Sequence, residues 1–131
     1  MKRKNRGGDW LRKAKSDLRF AQTAFSEGFY AQTCFLCQQV SEKALKSILY
    51  DRGAKQILTH SLKNLCKEIR INSKLLEAAG ILDQYYISAR YPDALLEGIP
   101  DDVFTKAQAF DALQYAEAFV NQAEKQIKSN R

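Results

Sequence analysis

Proline is scarce in this chain: Pro92 and Pro100 are the only two in 131 residues. Both fall in one stretch, YPDALLEGIPDD, which reads as an irregular loop. No run alternates apolar and polar residues between turn signals, so strands leave no trace, and no internal repeat is visible. No apolar run approaches the roughly 18 residues of a membrane span, and no membrane association is expected. The basic N-terminus has no apolar segment behind it, so no secretory signal is expected. Cysteine occurs three times, an odd number that makes no disulfide framework. A reducing cytoplasm is the expected setting. The phosphate-cradling G-x-x-x-x-G-K-[ST], the dinucleotide G-x-G-x-x-G and the zinc-binding H-E-x-x-H are all missing, as is a ladder of metal-binding carboxylates. No cofactor or metal is expected. A serine triad would have to use His60, the single histidine, and nothing marks a nucleophile elbow.

What is present is helical periodicity over a length that suits one domain. The central segment runs from about Tyr30 to Arg52. At 3.6 residues per turn Tyr30, Cys34, Cys37, Val40, Ala44, Leu45, Ile48 and Leu49 cover about half its circumference. Gln39, Lys43, Lys46 and Tyr50 fall on the opposite side. Gln38 and Ser41 fall inside the apolar arc and need hydrogen-bond partners there, on a neighbouring helix or a ligand. An arc this wide predicts the middle helix of a bundle.

Residues 1–8 are expected to form a flexible basic arm, and residues 9–131 one helical domain. Asp9 is the expected cap of a first helix carrying Trp10, Leu11, Ala14, Leu18, Ala21 and Phe25 inward, and Gly28 ends it. The short connection predicts an antiparallel hairpin with the central helix. Beyond Gly53, Thr59 or Ser61 caps a third, short helix. Asn72 or Ser73 starts a fourth, with Leu75, Leu76, Ala79, Leu82 and Tyr86 inward and Gly80 marking a close crossing or a kink. Pro92 requires this helix to stop near Arg90. Thr105 and Gln108 have capping-box spacing at the head of a last helix of about six turns. The fold class is all-α: an up-and-down bundle of four main helices plus a shorter one.

The net charge is +6, unevenly spread. Residues 41–74 hold eight bases and three acids, whereas residues 75–124 hold two bases and nine acids. A basic middle attracts nucleotides or RNA; the same polarity also suits association between copies, or a merely solvated surface. Cys34 and Cys37 form a C-x-x-C that, with Cys66 and His60, spells a zinc donor set. Both cysteines lie on an apolar helical arc, so they are expected to be core residues. His60 stands at a loop-to-helix junction, where acid–base or phosphate-binding residues occur, but a structural helix-start role is the first reading. The strongest local candidate is Ser88-Ala89-Arg90-Tyr91-Pro92-Asp93. Arg90 suits bidentate phosphate recognition and Tyr91 suits stacking on a base. Equally, Arg90 can neutralise helix-end carbonyls while Tyr91 packs.

Trp10, Ala14 and Asp17-Leu18; Tyr30; Cys37-Gln38-Gln39 with Glu42-Lys43-Ala44-Leu45-Lys46; Gly53; His60-Ser61-Leu62; and Tyr85 or Tyr86 with Arg90-Tyr91-Pro92-Asp93 occur here in one order and separation. In these residues the chain, from about Asp9 to Ile127, resembles the HEPN domain family (higher eukaryotes and prokaryotes nucleotide-binding). The resemblance implies a four- to five-helix bundle, a homodimer, and a nucleotide or RNA context. It implies a non-catalytic module beside a minimal nucleotidyltransferase protein, often in a toxin–antitoxin pair. Arg90 would hold phosphate, Tyr91 would stack, and Asp93 and His60 are further candidates. Lys43 and Lys46 would extend the basic surface. Other members are metal-independent RNases with an Arg-x(4–6)-His motif at a dimer interface. No histidine follows Arg90, and His60 precedes it by 30 residues. The alternative is therefore an RNase that joins His60 and Arg90 across a dimer interface. A third reading is a toxin–antitoxin component whose role is protein association alone.

Overall fold

The computed structural model describes residues 5–71 and 73–129, and no strand occurs among them. Helix α1 (Gly7–Ser26) turns into α2 (Tyr30–Asp51) through Gly28, which takes φ +83°, a left-handed conformation that costs glycine little. The two helices are antiparallel. Phe25 meets Tyr30 at one end, ring centroids 5.7 Å apart, and Gly7 rests on Ser47 and Asp51 at the other. A Cβ at Gly7 would lie 2.8 Å from the Asp51 Cβ and 2.9 Å from the Ser47 carbonyl oxygen, so only glycine allows this approach.

The helix start differs from expectation. Gly7 and Gly8 belong to α1, not to an arm, and the Asn5 side-chain oxygen accepts from the Gly7 N–H at 2.8 Å. Asp9 is not the cap; it stands in the first turn and pairs with Arg6 at 2.7 Å. The first four residues of the expected arm, Lys2, Arg3 and Lys4 among them, lie outside the described residues.

Helix α3 (Leu62–Ile69) is capped by Ser61, whose hydroxyl accepts from the Asn64 N–H at 3.2 Å. Asp83, at the end of α4 (Ser73–Asp83), accepts from the Leu62 N–H at 2.8 Å and the Lys63 N–H at 3.2 Å. It thus satisfies donors that α3 cannot pair internally. Asn72 lies outside the described residues. The expected single helix to Arg90 is interrupted at Gln84, and a short α5 (Tyr85–Ser88) follows. Tyr85, rather than Tyr86, fills the core beside Leu82. Gly80 marks no tight crossing: an added Cβ would meet only the Lys63 side chain, at 3.5 Å.

A 3-10 turn (Pro92–Ala94) and α6 (Pro100–Val103) occupy the proline loop. Helix α7 (Lys106–Ser129) opens with the expected capping box: the Thr105 N–H donates to Gln108 Oε1 at 2.9 Å, and the Gln108 N–H to Thr105 Oγ1 at 3.1 Å. Lys15 pairs with Glu124, and Gln22 reaches Glu117, so α7 runs antiparallel to α1 and parallel to α2. α1, α2, α4 and α7 make the up-and-down bundle, with α3 as the shorter helix. α2 is its axis: Cys34, Cys37, Val40, Leu45 and Ile48 are fully buried, against Leu62, Leu65, Leu82 and Phe119. Each fully buried aliphatic or aromatic side chain of this kind contributes about 1.5–3 kcal/mol. Among the described residues, no helix is long and apolar enough to cross a membrane.

Candidate functional site

Tyr86 and Arg90 are four residues apart, which brings their side chains to one side of the chain as α5 ends. The Arg90 Nε donates to the Tyr86 carbonyl at 2.8 Å. Its guanidinium carbon lies 4.5 Å from the Phe35 ring centroid, 4.7 Å from Tyr86 and 5.0 Å from Tyr91. Three aromatic faces therefore hold one cation, at distances where the ring quadrupole attracts it. Arg90 itself is exposed, and among the described residues it makes no salt bridge. Beside it opens a cleft of about 460 Å³ with Phe20, Phe35, Leu36 and Tyr91 on its apolar walls and Gln32 and Asp101 at its polar edge. Gln32 donates to Asp101 at 3.0 Å, tying α2 to α6 across the cleft.

His60 comes to the same ring. It stacks on Tyr86 with centroids 5.7 Å apart and planes 15° from parallel. Its Nδ1 lies 3.0 Å from Glu42 Oε2, and its carbonyl accepts from Gln38 Nε2 at 3.2 Å. Gln38 thus finds the neighbouring-element partner expected of it, while Ser41 donates back to the Cys37 carbonyl of its own helix at 2.8 Å. With the carboxylate accepting at Nδ1, the neutral imidazole carries its proton there and leaves Nε2 as a free acceptor. The His60 side chain is 57% exposed, so that nitrogen is within reach of a ligand. One chain alone thus gathers His60 and Arg90 on one aromatic ring.

Glu42 is the residue that spacing and composition did not single out. Its side chain is buried, and Oε2 accepts from both Lys46, at 2.7 Å, and His60. Its Oε1 is buried without a hydrogen-bond partner among the described residues. The available signal was the Glu-to-Lys spacing of four, which favours an ion pair along a helix. Phe35 was not singled out either, and Tyr86 was read as an inward helix position and, with Tyr85, as part of the family resemblance.

One expectation changes: of the two lysines, only Lys43 stays at a surface cleft. Lys46 does not extend a basic surface: it is buried, neutralised by Glu42, and lies 5.9 Å from the Trp10 ring centroid. Lys43 does not join Arg90. It pairs with Asp17 and lines a second cleft, of about 420 Å³, with Arg6, Asp9, Trp10 and Lys13. Burial by itself pushes the Asp17 carboxyl up, but hydrogen bonds and charges from Lys43 and Lys13 outweigh it and hold the group below its ordinary value. Asp93 is exposed in the 3-10 turn, outside the residues that line the Arg90 cleft.

The cysteines are core residues. All three are free and buried, and burial pushes the Cys34 and Cys66 thiols up to about 12 and the Cys37 thiol higher still. Among the described residues no three His, Cys, Asp or Glu side chains are grouped to hold a metal ion.

Comparison with known proteins covers nearly all of this architecture. The HEPN domain family model matches residues 8–126. A crystallised Thermus thermophilus protein superposes with a TM-score of 0.88 at 37% identity, over 94% of this chain and 99% of its own. An archaeal HEPN homologue gives 0.77 at 34%, over 97% and 99%. A Thermotoga maritima HEPN domain protein gives 0.72 at 30%, over 89% and 95%. A candidate toxin of Methanocaldococcus jannaschii is 23% identical over 120 residues, 82% of this chain and 79% of that protein. A family match spanning α1 to α7, joined to this likeness in both sequence and structure, has one meaning: the chain belongs to the HEPN domain family.

Proposed function

We propose that this chain is a nucleotide-binding HEPN module and that the Arg90 cleft is its site. The supporting observation is the guanidinium held over Phe35, Tyr86 and Tyr91 at the edge of an aromatic cleft. Nε is occupied by the Tyr86 carbonyl, which leaves both Nη groups to grip a phosphate as a fork. Tyr91, 49% exposed, offers a face to the base. Gln32 and Asp101, bonded to each other at 3.0 Å, supply polar atoms to the lining of the same cleft. The module works in the cytoplasm as a homodimer beside a nucleotidyltransferase protein, in a toxin–antitoxin arrangement; the similarity to a candidate toxin supports that last element. The test is the melting temperature with a panel of nucleotides. A ligand at 100 times its Kd adds about 2.7 kcal/mol, roughly 10 °C for a chain of this size. The rise is expected with at least one nucleotide and not in Arg90→Ala; no rise with any of them would count against the reading.

The meeting of His60 and Arg90 on Tyr86 favours one second reading, a metal-independent RNase. His60 Nε2, fixed by Glu42 at the other nitrogen, would take the proton of the 2′-hydroxyl as its oxygen bonds to phosphorus, and Arg90 would bear the phosphate charge. The P–O5′ bond would break to leave a 2′,3′-cyclic phosphate and a 5′-hydroxyl protonated by water or the imidazolium. Cleavage of structured RNA in EDTA that vanishes in His60→Ala would establish it; intact RNA would rule it out.

A further inference from the structure

We infer that the Trp10 cleft is a second anion site on the same strand-binding face, so that the ligand of this module is a single-stranded polynucleotide and not a lone nucleotide. The inference rests on the Arg90 reading and extends it. Three observations carry it, beginning with charge. Arg6, Lys13 and Lys43 face the cleft against one carboxylate, Asp9. The acids nearby are shared. Asp9 takes both Arg6 and Arg12, at 2.7 and 3.7 Å, while Asp17 takes both Lys13 and Lys43. Four cations on two carboxylates leave positive charge over, and the Arg6 and Lys13 side chains are each 61% exposed to offer it.

The second observation is the wall. Trp10 stacks on Tyr50 at 5.2 Å, which fixes the indole as an apolar surface beside those cations. A cation cluster next to a fixed aromatic surface suits a sugar–phosphate chain carrying bases better than it suits a simple anion. The third is placement. Leu36 lines the first cleft and Lys43 the second, and both belong to α2. Seven residues separate them, about 10 Å of helix rise. That is roughly three nucleotides of a stacked strand at about 3.4 Å each. α1 runs alongside, giving Phe20 to the first cleft and Lys13 and Trp10 to the second. Both clefts therefore draw on the same two helices, with Asp17, neutralised by Lys13 and Lys43, between them on α1.

The test compares a ten-nucleotide single-stranded RNA with a nucleoside monophosphate, by fluorescence titration over a range of salt. The variants are Arg6→Ala, Lys13→Ala, Arg90→Ala and, as a basic surface control on α7, Lys125→Ala. The inference expects the oligonucleotide to bind at least tenfold tighter than the monophosphate. It expects Arg6→Ala and Lys13→Ala each to weaken the oligonucleotide several-fold, with a salt slope shallower by about 0.7 per phosphate contact removed. Monophosphate affinity should stay as in the parent protein. Equal losses in Lys125→Ala, or an oligonucleotide that binds no tighter than the monophosphate, would overturn the inference and leave the Arg90 site standing. Oligonucleotide binding that needs Lys13 but is indifferent to Arg90→Ala would overturn the Arg90 reading instead. Binding of neither ligand would overturn both.

Discussion

At the scale of single residues, the decisive feature is a buried charge network whose only trace in the sequence is a Glu-to-Lys spacing of four. Glu42 and Lys46 are both buried and pair within α2. Removing one partner strands the other charge, so Glu42→Ala should lower stability by about 3–5 kcal/mol. The double change Glu42→Leu with Lys46→Met should recover much of that loss, because no unpaired ion remains; urea unfolding of the three proteins checks both statements. Asp17 gives a pH-dependent counterpart. Its carboxyl is held low when folded, so its contribution is present above its unfolded value of about 3.9 and is lost as pH falls through the lower folded value. The stability gap between the parent protein and Asp17→Asn should therefore be open at pH 7 and shrink below about pH 4. The buried thiols, pushed up to about 12 at Cys34 and Cys66, should resist an alkylating reagent at pH 8 until the protein is unfolded.

At the scale of elements, two glycines make opposite predictions from the same substitution. Gly7→Ala puts a Cβ into the backbone of α2 and should destabilise by about 1–3 kcal/mol. Gly80→Ala meets only the flexible Lys63 side chain inside α4 and should stabilise by about 1 kcal/mol. Thermal melts of the two variants should move in opposite directions. The difference also marks what a sequence can tell. Helices were legible because apolar period, capping boxes and helix-ending glycines are local; the Thr105–Gln108 box and the turn at Gly28 stand where spacing put them. Gly7 was illegible because its reason is some forty residues away in the chain, at Ser47 and Asp51. The same holds for Asp83, which caps α3 from the end of α4.

At the scale of the whole molecule, the bundle converts separate candidates into two clefts. Arg90 and His60 were legible as residue types, but their meeting on Tyr86 depends on α2, the loop before α3, and α5 converging. Lys43 and Lys46 looked equivalent on a helical face, and α1 separates them: Asp17 keeps Lys43 at a cleft wall, while Trp10 covers Lys46. In the proposed site Arg90 grips phosphate as a fork while its aromatic neighbours hold it in place. Calorimetric titration of the nucleotide that raises the melting temperature, into the parent protein and Arg90→Lys, tests this most directly. Lysine keeps the charge but loses the planar fork and its fit against three rings, so affinity should fall at least tenfold. Equal affinity in the two proteins would contradict the account.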